Sequence, residues 1–174
     1  MKEKLILAYM DVAYRFAQLS HARRLHVGSI IVKDDRIISI GYNGMPAGWE
    51  NNCEDNEWMD RGAGGWLNPE EIEAQWPFTG HQWDADGNVV EGRYRLKTKP
   101  EVLHAEMNAL MKLAKSTESG NAASIFITHA PCMDCAKSIY QAGISEVFYS
   151  EDYRTNNGIA FLKQCDIKVR KIDK

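Results

Sequence analysis

The sequence predicts an α/β fold, a three-layer α/β/α sandwich with a central mixed sheet of about five strands. Three observations indicate it. Residues 3–19 place apolar side chains at helical spacing. Residues 27–32 and 36–41 are rich in β-branched side chains and flank a short polar turn. From residue 103 onward, helix-like and strand-like segments alternate, a pattern typical of parallel strands joined by helices.

The predicted elements follow in order. The apolar stripe of the first helix consists of Leu5, Ile6, Tyr9, Met10, Val12, Ala13, Phe16 and Ala17. Lys33, Asp34 and Asp35 form the turn of a hairpin between the first two strands. The later elements are helix 103–115, strand 123–128, helix 132–142, strand 146–149, helix 158–164 and strand 167–172.

The segment from about 45 to 100 interrupts this pattern. It has no sustained period, and it holds all five tryptophans, which are Trp49, Trp58, Trp66, Trp76 and Trp83. Structureless loops of this length are uncommon in compact domains, and the aromatic content argues against disorder. We therefore expect residues 1–174 to form a single domain with an ordered Trp- and Gly-rich insertion beside the functional site. An aromatic lid over the core or a subunit contact is the alternative.

Charge and composition restrict the partners. With 21 basic and 24 acidic residues, the formal net charge is -3, and the basic residues form no run longer than a pair such as Arg23-Arg24. We therefore expect no nucleic-acid partner, because a surface that follows a phosphate backbone needs more positive charge. No apolar run approaches the roughly 20 residues of a membrane span, and the N-terminus does not resemble a signal peptide. Four cysteines, two of them in Cys-x-x-Cys, suit a reducing compartment, so the predicted location is cytoplasmic, without membrane contact.

The strongest functional signal is a pair of short motifs. Residues 104–106 read His-Ala-Glu, and residues 131–135 read Pro-Cys-Met-Asp-Cys. One His and two Cys leave a fourth tetrahedral zinc position open for water, as in catalytic sites. The same pattern is the signature of zinc-dependent base deaminases. It predicts Zn²⁺ held by His104, Cys132 and Cys135.

The spacing also predicts how these residues meet. Residues two apart on a helix point about 200° from each other, so His104 and Glu106 can approach one ion only at the N-terminal end of their helix. Cys132 and Cys135 share one face of the next helix. Two helix N-termini then converge on the ion, and their dipoles favour thiolates. Glu106 is left as the catalytic proton shuttle.

Four segments resemble deoxycytidylate (dCMP) deaminases of the phage or bacterial type: residues 41–48, 104–109, 131–137 and 141–144. The octapeptide at 41–48 is the most discriminating, because free-cytidine and tRNA-adenosine deaminases share the zinc motifs but generally lack it. The resemblance implies the cytidine deaminase-like fold. It also implies hydrolysis of dCMP to dUMP and ammonia, which supplies dUMP for thymidylate synthesis.

The resemblance also implies regulation and assembly. Similar enzymes are homohexamers that dCTP with Mg²⁺ activates and dTTP inhibits, so we expect these effectors, Mg²⁺ with dCTP, and a homohexamer. Tyr42 and Gly44 are the residues to which it assigns the effector nucleotide. For a phage-encoded enzyme, the cytoplasm is that of the host. Some relatives carry a second, structural zinc, but Ala22 stands where a Cys is expected, and a buried Cys53 without a metal is the simpler interpretation.

The expected substrate contacts are Arg24, Asn43, Ala105, His129, Ala130 and Tyr153. By resemblance, Asn43 contacts the sugar, and the backbone of residues 129–130 lies against the cytosine edge. An Asn that only stabilises a turn is the alternative.

Phosphate recognition is expected from the segment 20–26. A guanidinium suits a compact dianion, and we favour Arg24 over Arg23. Tyr153 resembles a Tyr near the phosphate and base. Solvated arginines and a packing role for Tyr153 are the alternatives.

Three other functions are alternatives to a nucleotide deaminase. A deaminase of polynucleotides would need a basic strand-binding channel. A non-catalytic module that kept the fold would have no use for Glu106 beside an open metal position. A closed structural zinc site would need a fourth ligand, and neither Cys53 nor Cys165 lies at a finger-like spacing.

Overall fold

The computed structural model describes residues 1–59 and 67–173, so Trp66 lies outside the described residues. Its elements are α1 (Glu3–Ala17), β1 (Gly28–Lys33), β2 (Arg36–Tyr42), β3 (Glu54–Trp58), α2 (Pro69–Gln75), β4 (Phe78–Trp83), β5 (Val89–Thr98), α3 (Ala105–Ala114), β6 (Ser124–His129), α4 (Met133–Gln141), β7 (Glu146–Glu151), α5 (Asn157–Gln164) and β8 (Lys168–Lys171). Within the described ranges, no helix is both long and apolar enough to cross a membrane.

The central sheet has five strands in the order β2-β1-β6-β7-β8. Strand β1 is antiparallel to β2 and β6, whereas β6, β7 and β8 are parallel to one another. Helices α4 and α5 connect the parallel strands, which need a crossover connection of this kind. The mixed α/β sheet that the sequence predicted is confirmed.

Two buried clusters form the core, one on each face of the sheet. Helix α1 packs through Met10 and its neighbours against Ile30 and Val32. Helices α3, α4 and α5 pack on the opposite face, where Ile31 lies. Successive strand residues point to opposite faces, which explains why strand β1 is apolar at consecutive positions. This packing fixes the start of α3 and the start of α4 at the same end of the sheet.

The insertion forms its own antiparallel sheet in the order β3-β5-β4. The sequence did not predict these strands, because the alternation of apolar and polar residues is poor. Gly80 and Gly92 are directly paired between β4 and β5. The Trp58 ring lies over both glycines, and Tyr94 packs against it with ring centroids 4.9 Å apart. The aromatic rings thus compensate for the missing side chains of the glycine pair.

Gly41 brings β2 into direct contact with α3. A Cβ added at Gly41 would lie 2.1 Å from the Ala105 carbonyl oxygen and 2.6 Å from the Ala109 amide nitrogen. Backbone atoms cannot move aside as a side chain can, so any larger residue must push α3 away from the sheet.

We expect Gly41→Ala to lower the free energy of unfolding by about 1–3 kcal/mol or more, the range of overpacking substitutions. Urea unfolding followed by far-UV circular dichroism measures the loss. Gly44→Ala is the matched control, because a Cβ there meets no atom within 4 Å. Equal unfolding midpoints for the two variants would contradict this account of the α3 packing.

Candidate active site

The site forms where helix α3 begins. His104 is the N-cap residue, with extended backbone at φ -72 and ψ 150, and the helix starts at Ala105. Glu106 lies in the first turn and is 4% exposed. Leu103, the residue before His104, pairs with Gly44 through two backbone hydrogen bonds of 3.1 and 2.9 Å. The N-terminal end of α3 therefore presents both His104 and Glu106.

The start of helix α4 supplies the two thiols. Cys132 is its N-cap residue, and Cys135 lies in its first turn. The Nδ1 atom of His104 lies 3.6 Å from Sγ of Cys132 and 3.4 Å from Sγ of Cys135. A tetrahedral zinc with ordinary bond lengths separates a nitrogen ligand from a sulfur ligand by about 3.6 Å. The donor atoms therefore have the spacing of three zinc ligands.

The charge state of the thiols also favours a cation. Hydrogen bonds from Cys135 and His104 lower the pKa of Cys132 to about 4. The hydrogen bond to Cys132, together with burial, raises the pKa of Cys135. One thiolate is thus stable alone, whereas the second requires a positive ion between the sulfurs. Within residues 1–59 and 67–173, His104, Cys132 and Cys135 form the one group of three or more His, Cys, Asp or Glu side chains that could hold a metal ion.

Glu106 lies beside this group without belonging to it. Burial is the largest influence on its side chain and raises the pKa of the carboxyl, and a hydrogen bond with Cys135 opposes the shift. A carboxyl with a raised pKa can both take and return a proton. Its location next to three candidate ligands suits a proton shuttle.

A pocket opens at these residues, with an empty volume of ≈ 640 Å³ that includes space open to solvent. Its lining includes every residue that the sequence assigned to substrate contact, namely Arg24, Asn43, Ala105, His129, Ala130 and Tyr153. It also includes His104, Glu106 and Cys132. Tyr42 and Gly44 lie outside that lining. The structure thus brings the predicted substrate residues and the Glu106 carboxyl to one cavity.

Asn43 ties the octapeptide to the chain before β1. Its side-chain Oδ1 accepts a hydrogen bond from the Val27 amide at 2.8 Å, and its Nδ2 donates to the Leu25 carbonyl at 2.8 Å. The side chain is 9% exposed. This bonding gives Asn43 a structural role at the pocket wall, and its contact with a sugar stays a prediction.

The two neighbouring arginines have different surroundings. Arg23 forms an ion pair with the buried Glu54, at 3.7 Å between Nε and Oε2. Arg24 lines the pocket, and its Nη1 donates to Oγ1 of Thr98 at 3.0 Å. Burial raises the pKa of Tyr153, and the positive charge of Arg24 partly opposes that shift. Arg24 and Tyr153 therefore share one part of the cavity.

His129 contributes a side chain as well as backbone. Oγ1 of Thr128 accepts a hydrogen bond from the Gly28 amide at 3.1 Å and lies 3.0 Å from Nδ1 of His129. Burial lowers the pKa of His129, which favours the neutral ring. A neutral ring carries one proton, so His129 offers one hydrogen-bond donor and one acceptor between Nδ1 and Nε2.

Sequence reasoning missed two polar lining residues, Glu54 and Thr98. Both come from the insertion, where no strand was recognised, and they are paired across β3 and β5. No local pattern marks such a pair. Cys53, next to Glu54, packs in a buried cluster with Ala22 and Val102.

Comparison with known proteins decides the family. A model of the cytidine and deoxycytidylate deaminase zinc-binding region matches residues 3–151. The chain belongs to this family. Deoxycytidylate deaminase of Enterobacteria phage T4 is 35% identical over 156 residues, which are 84% of this chain and 78% of the relative. ComE operon protein 2 of Bacillus subtilis is 33% identical over 166 residues, which are 95% of this chain and 69% of the relative.

A solved structure agrees with this membership. The dCMP deaminase of cyanophage S-TIM5, crystallised with dCMP and dUMP, has a TM-score of 0.74 and 37% identity, covering 99% of each chain. The family resemblance inferred from the motifs is therefore confirmed, and so is the assignment to enzymes of the deoxycytidylate deaminase type.

Proposed function

We propose that this protein uses zinc to hydrolyse dCMP to dUMP and ammonia, supplying dUMP for thymidylate synthesis. The observation that carries the proposal is the group of His104, Cys132 and Cys135 beside the buried Glu106, at a pocket that also holds Arg24. The relatives named above support dCMP as the substrate.

In the proposed mechanism, His104, Cys132 and Cys135 hold the zinc. When bound, the zinc supplies Lewis acidity that lowers the pKa of water at an open coordination position. Glu106 takes a proton from the water that attacks C4 of cytosine and delivers it to N3. Glu106 then takes the proton of the new C4 hydroxyl and passes it to the amine as the C4–N bond breaks, so the C4 carbonyl forms, water is consumed and ammonia leaves.

The remaining pocket residues orient the nucleotide. The backbone of His129 and Ala130 lies against the edge of the base in this proposal, Ala105 is a further substrate contact, and Asn43 contacts the sugar. Arg24 binds the phosphate because a guanidinium offers several donors to a dianion. Tyr153 lies beside both the phosphate and the base in this proposal. The neutral His129 adds a ring nitrogen to the same wall of the pocket.

Regulation is proposed from the octapeptide. We place the effectors dCTP, with Mg²⁺, and dTTP at Tyr42 and Gly44. Gly44 is hydrogen-bonded to Leu103, the residue before His104, so an effector there would act one residue from a zinc ligand. Resemblance to the family supports a homohexamer and the cytoplasm, which is the host's if a phage encodes the chain.

We also propose that residues 1–174 act as one domain. Glu54 and Thr98 of the insertion line the same pocket as His104, so the insertion completes the site of the deaminase fold.

The proposal predicts a substrate profile. Ammonia release from zinc-loaded protein should be fastest with dCMP, slower with CMP and at least about tenfold slower with deoxycytidine, because losing the phosphate removes a charge-assisted contact. Addition of dCTP and Mg²⁺ should lower the dCMP concentration needed for half-maximal rate, and dTTP should raise it. Each substrate is assayed in parallel with the same enzyme preparation.

The same assay includes a short cytosine-containing DNA strand as an alternative substrate. Turnover of the strand without turnover of dCMP would replace the proposal with a polynucleotide deaminase. Turnover of deoxycytidine at the dCMP rate would remove Arg24 and Tyr153 from the phosphate site.

A further inference from the structure

We infer that Glu54, the first residue of β3, is a positioning residue that fixes Arg24 for recognition of the substrate phosphate. The inference rests on the proposed function, because it deepens the role of the same pocket. It also gives the insertion a function, since Glu54 and its partner Thr98 both come from that segment.

The Glu54 carboxylate holds the backbone of the two arginines. Its Oε2 accepts a hydrogen bond from the Arg23 amide at 3.0 Å, and its Oε1 accepts one from the Arg24 amide at 3.2 Å. Only 1% of the residue is exposed. One buried carboxylate that binds two consecutive amides fixes both the position and the direction of the chain at Arg24.

Thr98 holds the other end of Arg24. Its hydroxyl oxygen accepts the 3.0 Å hydrogen bond from the Arg24 Nη1. Glu54 and Thr98 are directly opposite each other in the pairing of β3 with β5. A single cross-strand pair of the insertion therefore holds Arg24 at its backbone and at its guanidinium.

The charges are arranged so that Arg24 remains available to an anion. The negative charge of Glu54 is met by the Arg23 guanidinium and by two amides. Within the described part of the chain, Arg24 forms no ion pair, and Thr98 is a neutral partner. A guanidinium has five N–H donors, so most of them stay free for a phosphate.

Glu54→Gln tests the inference. Gln keeps the size of the side chain, but its amide group offers a donor where one backbone N–H needs an acceptor. We expect the KM for dCMP to rise roughly tenfold or more while kcat changes less than about twofold, since loss of a binding contact appears in KM. The rate with deoxycytidine should stay within about twofold, because that substrate has no phosphate. Glu57→Gln on the same strand is the matched control, because the partly buried Glu57 pairs with Arg95 and Lys97 instead.

A double-mutant cycle separates positioning from general packing. Arg24→Ala should raise the KM for dCMP at least as much as Glu54→Gln, and adding Glu54→Gln to Arg24→Ala should change it by less than about twofold. Thr98→Val, at the exposed end of β5, should give a smaller rise in KM and guards against a Glu54 variant that does not fold.

The outcomes are separable. Any one of three results would overturn the positioning role. The first is an equal loss of activity with dCMP and deoxycytidine in Glu54→Gln, and the second is an unchanged KM for dCMP in both Glu54→Gln and Thr98→Val. The third is an effect of Glu54→Gln that persists in the Arg24→Ala background. Failure of the proposed function itself appears in the unsubstituted enzyme, as an absence of preference for dCMP over deoxycytidine.

Discussion

Glu106→Gln is expected to lower kcat for dCMP by roughly 10³- to 10⁴-fold, toward the upper end of what a positioned acid and base contributes. Gln fills the same buried space and can still form hydrogen bonds, but it cannot accept and return a proton. Zinc content should remain that of the unsubstituted enzyme, because Glu106 is not one of the three clustered ligand atoms. Ammonia release measures the rate, and elemental analysis of the same sample measures the metal.

Glu118→Gln is the control for Glu106→Gln. Glu118 forms an ion pair with Arg36 at 3.3 Å and lies outside the pocket lining. The Glu118→Gln substitution should therefore leave both the rate and the zinc content unchanged. A Glu106 variant that turns over dCMP at a near-normal rate would mean that another group carries the proton. A variant that loses its zinc together with its activity would make Glu106 a ligand instead of a shuttle.

The clustering of His104, Cys132 and Cys135 could be predicted from the sequence because its determinants are local. His104 and Glu106 lie at the start of one helix, and Cys132 and Cys135 lie in the first turn of another. Spacing along a helix fixes which side chains can converge at its end. The sheet order then only had to bring two helix N-termini together, which the alternation of strands and helices already indicated.

The different surroundings of Arg23 and Arg24 depend on long-range pairing, and the sequence could not predict them. Nothing local distinguishes Arg23 from Arg24. The difference arises from Glu54, about 30 residues away along the chain, which forms an ion pair with the Arg23 guanidinium and binds only the backbone of Arg24. Strand β3 itself was not recognised, since its sequence lacks an apolar face of its own and its one ring, Trp58, packs over glycines. Local sequence patterns therefore do not reveal the pocket residues that such an insertion supplies.

Cys135→Ser is expected to weaken zinc binding by more than about 100-fold and to abolish turnover, because a neutral hydroxyl is a poor substitute for a thiolate ligand. The site would keep only His104 and Cys132. Zinc content after dialysis and ammonia release are the direct measurements. Cys165→Ser is the matched control, because Cys165 follows α5 and lies outside the clustered ligands.

Thermal stability supplies a second readout that does not depend on activity. A ligand that binds only the folded state raises its stability, by about 2.7 kcal/mol at a free concentration 100 times its dissociation constant. A chelator should therefore lower the melting temperature of the unsubstituted enzyme and of Cys165→Ser, but leave that of Cys135→Ser unchanged. If Cys135→Ser instead responded to the chelator as fully as the unsubstituted enzyme, Cys135 would not be a ligand. Its buried sulfur beside Nδ1 of His104 would then be explained by packing alone.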